Sequence, residues 1–155
     1  MEFRILGPLE AVDDGRAVQL GGGKQRALLA LLLLNDGRVV SMTRLVDDLW
    51  GEQVPESAQK LVQIVVSHLR KELPDGVLQT QAPGYLLDVS GHSLDLHRFG
   101  ELAERGRTAL GDGRADEAAA LLESALALGR GQALGEFSEP FASVESARLE
   151  EQQLT

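Results

Sequence analysis

The run Lys24–Leu34, KQRALLALLLL, limits what this chain can become. Its residue types favour a helix, and after Arg26 nearly every position is apolar. Such a helix has no solvent side and must be covered over most of its surface. Asn35-Asp36-Gly37 closes it. The apolar stretch Ala27–Leu34 is far too short to span a bilayer. The rest of the chain has to supply the cover.

Upstream, Phe3–Val12 reads as a strand broken at Gly7-Pro8. Asp13-Asp14-Gly15 is a turn signal, and Ala17–Leu20 reads as a returning strand, giving a small N-terminal sheet. Gly21-Gly22-Gly23 is a flexible connection. Lys24 does not complete a phosphate loop, because Gln25 stands where a Ser or Thr must hold magnesium. Downstream, Ser41 is an N-cap for a helix Met42–Trp50, with Leu45, Val46, Leu49 and Trp50 on one face. Gly51–Pro55 is a loop, and Pro55 suits a helix start.

The stretch Ser57–Leu73 is two-sided. On a helix, Ala58, Val62, Val65, Val66, Leu69 and Leu73 fall at steps of three and four and form a core face. Lys60, Gln63, Ile64, Ser67, His68 and Lys71 occupy the other face, which is polar and cationic apart from Ile64. That pairing of faces suits insertion into a DNA major groove. Pro74-Asp75-Gly76 ends the helix. Strands over Val77–Gln81 and Tyr85–Val89, joined by Ala82-Pro83-Gly84, then make a hairpin. Three helices followed by a hairpin is the order of a winged helix-turn-helix.

Ser90–Ser93 reads as a domain junction, and Asp95 as the cap of a helix running to about Leu110. Phe99, Leu102, Ala103 and Leu110 are expected to point inward. After Gly111-Asp112-Gly113, Arg114–Leu128 places Ala115, Ala118, Leu122, Ala125 and Leu126 on one stripe. Two helices around a tight turn resemble a helical-repeat hairpin. A last helix starts near Phe141. Such a pair and a half cannot bury its own stripe well, so the chain reads as the N-terminal part of something longer. The expected fold is α+β: a winged helix over residues 1–92, then an all-α, TPR-like helical segment over 93–155.

Charge bears on function. The net charge is −9, which argues against a wholly basic nucleic-acid binder. Met1–Leu94 holds nine Lys and Arg against twelve Asp and Glu, a net of −3. Asp95–Thr155 holds six against twelve, a net of −6. A local cationic patch on the two-sided helix can still meet phosphates. Cysteine is absent, so disulfides and thiolate metal sites are excluded, which fits a reducing cytosol. The N-terminus MEFRILGPLE carries no signal-peptide pattern. His68, His92 and His97 contain no metal-spaced pair on one helix face, and no Ser/His/Asp or paired-carboxylate arrangement stands out. An enzyme is not indicated.

FRILGPLE, GKQRALLALLLL, RVVS, RLVDDLWG, the pattern V-S-x-L-R-K-x-L over Val66–Leu73, and Pro83-Gly84-Tyr85 closely resemble the SARP (antibiotic regulatory protein) family. Its members begin with an OmpR-like DNA-binding domain. LDLHRF, Leu94–Phe99, is similar to the start of their bacterial transcriptional activation domain. The resemblance covers essentially the whole chain. It implies a cytoplasmic, sequence-specific transcriptional activator with no cofactor, one that binds direct repeats in double-stranded DNA as a head-to-tail homodimer and recruits RNA polymerase. It assigns base or groove contacts to Lys60, Ile64, Ser67, His68 and Lys71, and phosphate contacts to Trp50 and Arg70. Thr80 and Gln81 lie on the wing. The loop Gly51, Glu52, Gln53, Val54, Pro55 and Glu56 matches the segment that touches polymerase. The chain departs from its relatives at His68, Gln79, Gln81 and Leu86, where they often carry arginine, and at Gly129, where they often carry tryptophan. The alternative reading is a winged helix that works as a protein-interaction module.

Overall fold

The computed structural model describes residues 1–154. Helix α1 (Gly23–Leu34) runs through the middle of the N-terminal part, and every residue from Ala27 to Leu34 is buried. Asn35 ends it: its Nδ2 donates to the Leu31 carbonyl at 2.9 Å, and its Oδ1 accepts from Arg44 at 3.2 Å. The buried cap is thus satisfied on both sides.

Before α1 come β1 (Glu2–Arg4), β2 (Glu10–Asp13) and β3 (Arg16–Ala17). β1 and β2 pair antiparallel with Phe3 opposite Ala11, both buried, while Glu2, Arg4 and Glu10 face outward and pair with one another at 3.0 and 3.1 Å. The β2–β3 turn uses positive φ at Asp14 (54°) and Gly15 (79°), the geometry whose twist matches a two-residue hairpin. The returning strand is shorter than expected, only Arg16–Ala17.

After α1, β4 (Val40–Ser41) leads into α2 (Met42–Trp50), and the Ser41 hydroxyl caps α2 by accepting the Arg44 amide at 3.1 Å. α3 (Ala58–Glu72) follows. The hairpin β5 (Leu78–Gln81) and β6 (Gly84–Leu87) completes a three-stranded sheet in the order β4-β6-β5. Val40 lies opposite Tyr85, and Ser41 opposite Gly84. A Cβ at Gly84 would collide with the Val40 carbonyl, so the approach of these two strands requires glycine.

The expected junction is not a loose linker. Ser93–Leu94 forms β7, which pairs parallel with β1 and closes a four-stranded sheet in the order β3-β2-β1-β7. α4 (Asp95–Gly111) and α5 (Ala115–Leu126) then form a hairpin. Ala103, Gly106 and Ala109 of α4, with Ala118 and Ala125 of α5, keep its contact stripe small-sided. Three expectations fail here. Leu110 is 61 % exposed, Leu126 is 54 % exposed, and Ala115 is exposed. Close approach through small residues narrows the buried stripe, which leaves its former edges in solvent.

Helix α6 (Pro140–Leu154) does not lack cover, as the sequence had implied. It packs on α2, and Phe141, Ala142 and Leu149 are buried in a core shared with the winged helix. Asp95 stands inside α4, one residue past the N-cap position where it was expected. The N-cap position belongs to Leu94. The two carboxylate oxygens of Asp95 accept the amides of Ile5 and Leu6, each at 2.9 Å. Arg130 reinforces the same seam. Its amide donates to the Leu6 carbonyl at 2.7 Å, and its guanidinium donates to the Pro8 carbonyl at 2.8 Å and pairs with Glu10 at 3.0 Å. Glu136 accepts from the Leu9 amide at 2.7 Å and pairs with Arg26 at 2.9 Å.

Candidate nucleic-acid interface

α3 is fixed by one face and free on the other. Ala58, Val62, Val66 and Leu69 are buried, Val65 is half-buried, and Leu73 just past the helix end is buried. Lys60, Ile64, Ser67 and Lys71 follow at steps of four, three and four, so they form one straight outer row. All four are exposed, Ile64 at 43 %. A 43 % exposed isoleucine opposite a core face is not packing the protein's own interior. His68 flanks the row on one side and Gln63 and Arg70 flank it on the other, all three exposed. Arg70 and Lys71 lie in the last turn, where cations favour the helix dipole.

The wing lies beside the C-terminal end of α3. Thr80 and Gln81 are exposed on β5, the outer strand of its sheet. Arg70 is not free in the way the other cations are. Its Nε donates to the Leu78 carbonyl at 3.1 Å and its Nη2 to the Thr80 hydroxyl at 2.9 Å. Trp50, at the end of α2, is partly buried against the core. Lys24 sits over its ring at 5.4 Å and donates to the neighbouring Leu49 carbonyl at 2.9 Å.

The loop Gly51–Glu56 borders this face. Gly51 and Pro55 are half-buried; Glu52, Gln53, Val54 and Glu56 are exposed, Val54 at 44 %. Pro140 at the start of α6 abuts Gly51. An open groove lined by Thr43, Val46, Asp47, Val54, Pro55 and Lys60 separates the loop from α2. Thr43 and Gln63 share that groove with Lys60. The sequence pattern put Gln63 on the groove-facing side of α3 without assigning it a contact, and it did not point to Thr43. Thr43 in the first turn of a capped helix was the available signal, but only the crossing of α2 and α3 places it there.

The three histidines are apart. His68 is on α3, His92 Nδ1 lies 2.9 Å from the N-terminal amine, and His97 Nε2 lies 3.5 Å from Asp36. Among the described residues no group of three His, Cys, Asp or Glu could hold a metal, and no helix is long and apolar enough to cross a membrane.

A core-anchored helix with an exposed cationic row, flanked by a hairpin wing and joined to a helical hairpin, is the architecture of the winged-helix domains found in DNA-binding transcriptional regulators. Residues 15–91 match the family described as transcriptional regulatory protein, C terminal, and residues 94–155 match the bacterial transcriptional activator domain. The chain belongs to the SARP-type regulators, in which these two domains stand in this order. It is 39 % identical over 155 residues to the regulatory protein AfsR of Streptomyces coelicolor, covering 99 % of this chain and 16 % of AfsR. It is 37 % identical to the regulatory protein DnrI of Streptomyces peucetius, covering 99 % of this chain and 61 % of DnrI. The transcriptional regulatory protein EmbR of Mycobacterium tuberculosis is 38 % identical, with 92 % of this chain and 40 % of EmbR covered. The chain thus spans less than two thirds of each of these relatives. The solved structure of EmbR in complex with a low affinity phosphopeptide superposes with a TM-score of 0.93 at 35 % identity, over 99 % of this chain and 42 % of that one.

Proposed function

We propose that the outer face of α3 enters the major groove of promoter DNA, that copies of the chain bind direct repeats as a head-to-tail dimer, and that the loop Gly51–Glu56 contacts RNA polymerase to activate transcription. The observation that carries the DNA-binding part is the exposed row Lys60, Ile64, Ser67 and Lys71 on a helix whose opposite face is locked in the core. Lys60 and Lys71 meet phosphate or guanine, Ser67 a base edge of either kind, and Ile64 a thymine methyl. His68 works from the flank of the row, and Trp50 from the rim through its indole N–H. Thr80 and Gln81 lie along the neighbouring backbone. The site is that of a binding protein of the cytoplasm; it requires no cofactor. Exposure of Glu52, Gln53, Val54 and Glu56 supports the polymerase assignment, since a partner can reach the loop without displacing the core.

A mobility-shift series over a range of salt concentrations tests the reading. A specific complex whose affinity falls steeply with salt is expected. The competing reading, a winged helix used for protein contacts, draws on the net charge of −9 and on a hairpin, Val77–Val89, that contains no Lys or Arg. Absence of binding at every salt concentration would favour it.

A further inference from the structure

The hairpin is an odd wing. It carries no cation of its own, and its two strands are four residues each. A short two-stranded element is weakly fixed unless something holds it. On one side β6 pairs with β4. On the other, β5 is the sheet edge, and there Arg70 reaches over from α3. Among the described residues, Arg70 makes both side-chain hydrogen bonds that join α3 to the hairpin, to the Leu78 carbonyl and the Thr80 hydroxyl. The guanidinium is a rigid planar fork and can serve two acceptors at once; a lysine ammonium on a flexible stem holds no such geometry.

We propose that Arg70 is a positioning residue: it sets the wing against the recognition helix, so that Thr80 and Gln81 meet the DNA backbone in register with the Lys60–Lys71 row, and it does not itself neutralise a phosphate. This rests on the DNA-binding reading above. It departs from the phosphate contact that family resemblance assigns to Arg70. Two groups with separate tasks follow. Lys60 and Lys71 supply charge, and Arg70 supplies shape.

Salt dependence separates the two roles, because each neutralised phosphate adds roughly 0.9 to the slope of log K against log salt. Arg70→Lys keeps the charge and loses the fork. Thr80→Val keeps the fork and loses one acceptor together with the hydroxyl proposed to meet the DNA backbone, so for this variant the DNA-free exchange readout is the deciding one. Each is expected to weaken specific binding by roughly ten-fold, the size of one lost charge-assisted hydrogen bond, with the salt slope unchanged. The double variant is expected to lose little more than either single one, because both break the same link. Hydroxyl-radical protection on the wing flank should fade while protection by α3 persists. In the DNA-free protein, amide exchange over Leu78–Leu87 should quicken in both variants and stay unchanged over Val62–Leu69, a readout independent of any operator. Arg70→Lys binding with parental affinity would overturn the proposal, as would Arg70→Ala lowering the slope by about one unit with the wing footprint intact. Unchanged exchange in the hairpin would do so without DNA. A parental protein that binds no DNA at low salt would sink the DNA-binding reading and this proposal together, whereas the other failures touch this proposal alone.

Discussion

Asp95 accepts the amide of Ile5 at 2.9 Å across 90 residues of sequence. With the Leu6 amide on its second oxygen, the carboxylate closes both donors of a buried β-strand exit. This single side chain ties the first strand of the N-terminal sheet to the first turn of the helical half. Arg130 and Glu136 extend the seam along Leu6, Pro8 and Leu9.

Replacing Asp95 by Ala leaves two buried amides without acceptors. Their loss is expected to cost about 1–3 kcal/mol after relief of the buried charge. Urea unfolding of the Asp95→Ala protein should show a lower midpoint, and a midpoint equal to the parent's would refute the seam's contribution.

The same carboxyl has a pH signature. Burial pushes the Asp95 pKa above the ordinary carboxylate range, against the opposing pull of the Ile5 and Leu6 amides and the Arg130 guanidinium. The folded protein therefore takes up this proton before the unfolded chain does, and stability attributable to Asp95 rises as pH falls through its raised pKa. It levels off below the ordinary value. Glu2, held below its usual range by the hydrogen bond from Arg4, acts in the other direction and only at lower pH. The gap in melting temperature between parent and Asp95→Ala should widen on acidification from neutral pH to the ordinary carboxylate range. A gap that stays constant across that range would contradict a raised pKa at Asp95.

Gly84→Ala puts a methyl against the Val40 carbonyl, which is backbone and cannot swing aside. The strand pair β4–β6 must part, at a cost of about 1–3 kcal/mol or more. Because β6 belongs to the wing, calorimetry should show the lower melting temperature and footprinting a weakened wing contact in the same protein.

Lys60→Ala with Lys71→Ala removes two charges from the outer row of α3. Binding should weaken on every DNA sequence alike, and the salt slope should drop by roughly two units. An unchanged dissociation constant at low salt is the outcome that rules this out.

Ile64→Ala tests readout instead of charge. Its side chain is 43 % exposed, and if it meets a thymine methyl as proposed, cognate binding should fall while binding to random DNA holds. A selection from randomised DNA should return relaxed preference at one position. Equal losses on cognate and random DNA would assign Ile64 to the fold.

The helices were legible from sequence because their signals are local. Ser41 announces α2 by its side chain, and the steps of three and four in α3 separate its two faces without help from any neighbour. The exposed row of the interface follows from the same periodicity. What escaped detection depends on distant partners. β4 and β7 are two residues long and are strands only because Tyr85 and Phe3 lie beside them. An aspartate at a helix start reads as a cap, and nothing near Asp95 in sequence points to Ile5. Leu110 and Leu126 have the right spacing for a core stripe, but the stripe is as wide as its partner helix allows. The bond from Arg70 to Thr80 likewise appears only once the hairpin has turned back along α3.

β7 is the first element of the helical half and the last strand of the N-terminal sheet. No tether separates the winged helix from the helical half. Whatever direction α3 takes in a groove dictates where α4–α6 project. On the proposed repeats, one helical turn apart, successive copies would therefore line up their helical halves along one side of the duplex. That half carries twelve Asp and Glu against six Lys and Arg, so the proposed spacing of the repeats would also set the spacing of its negative charge.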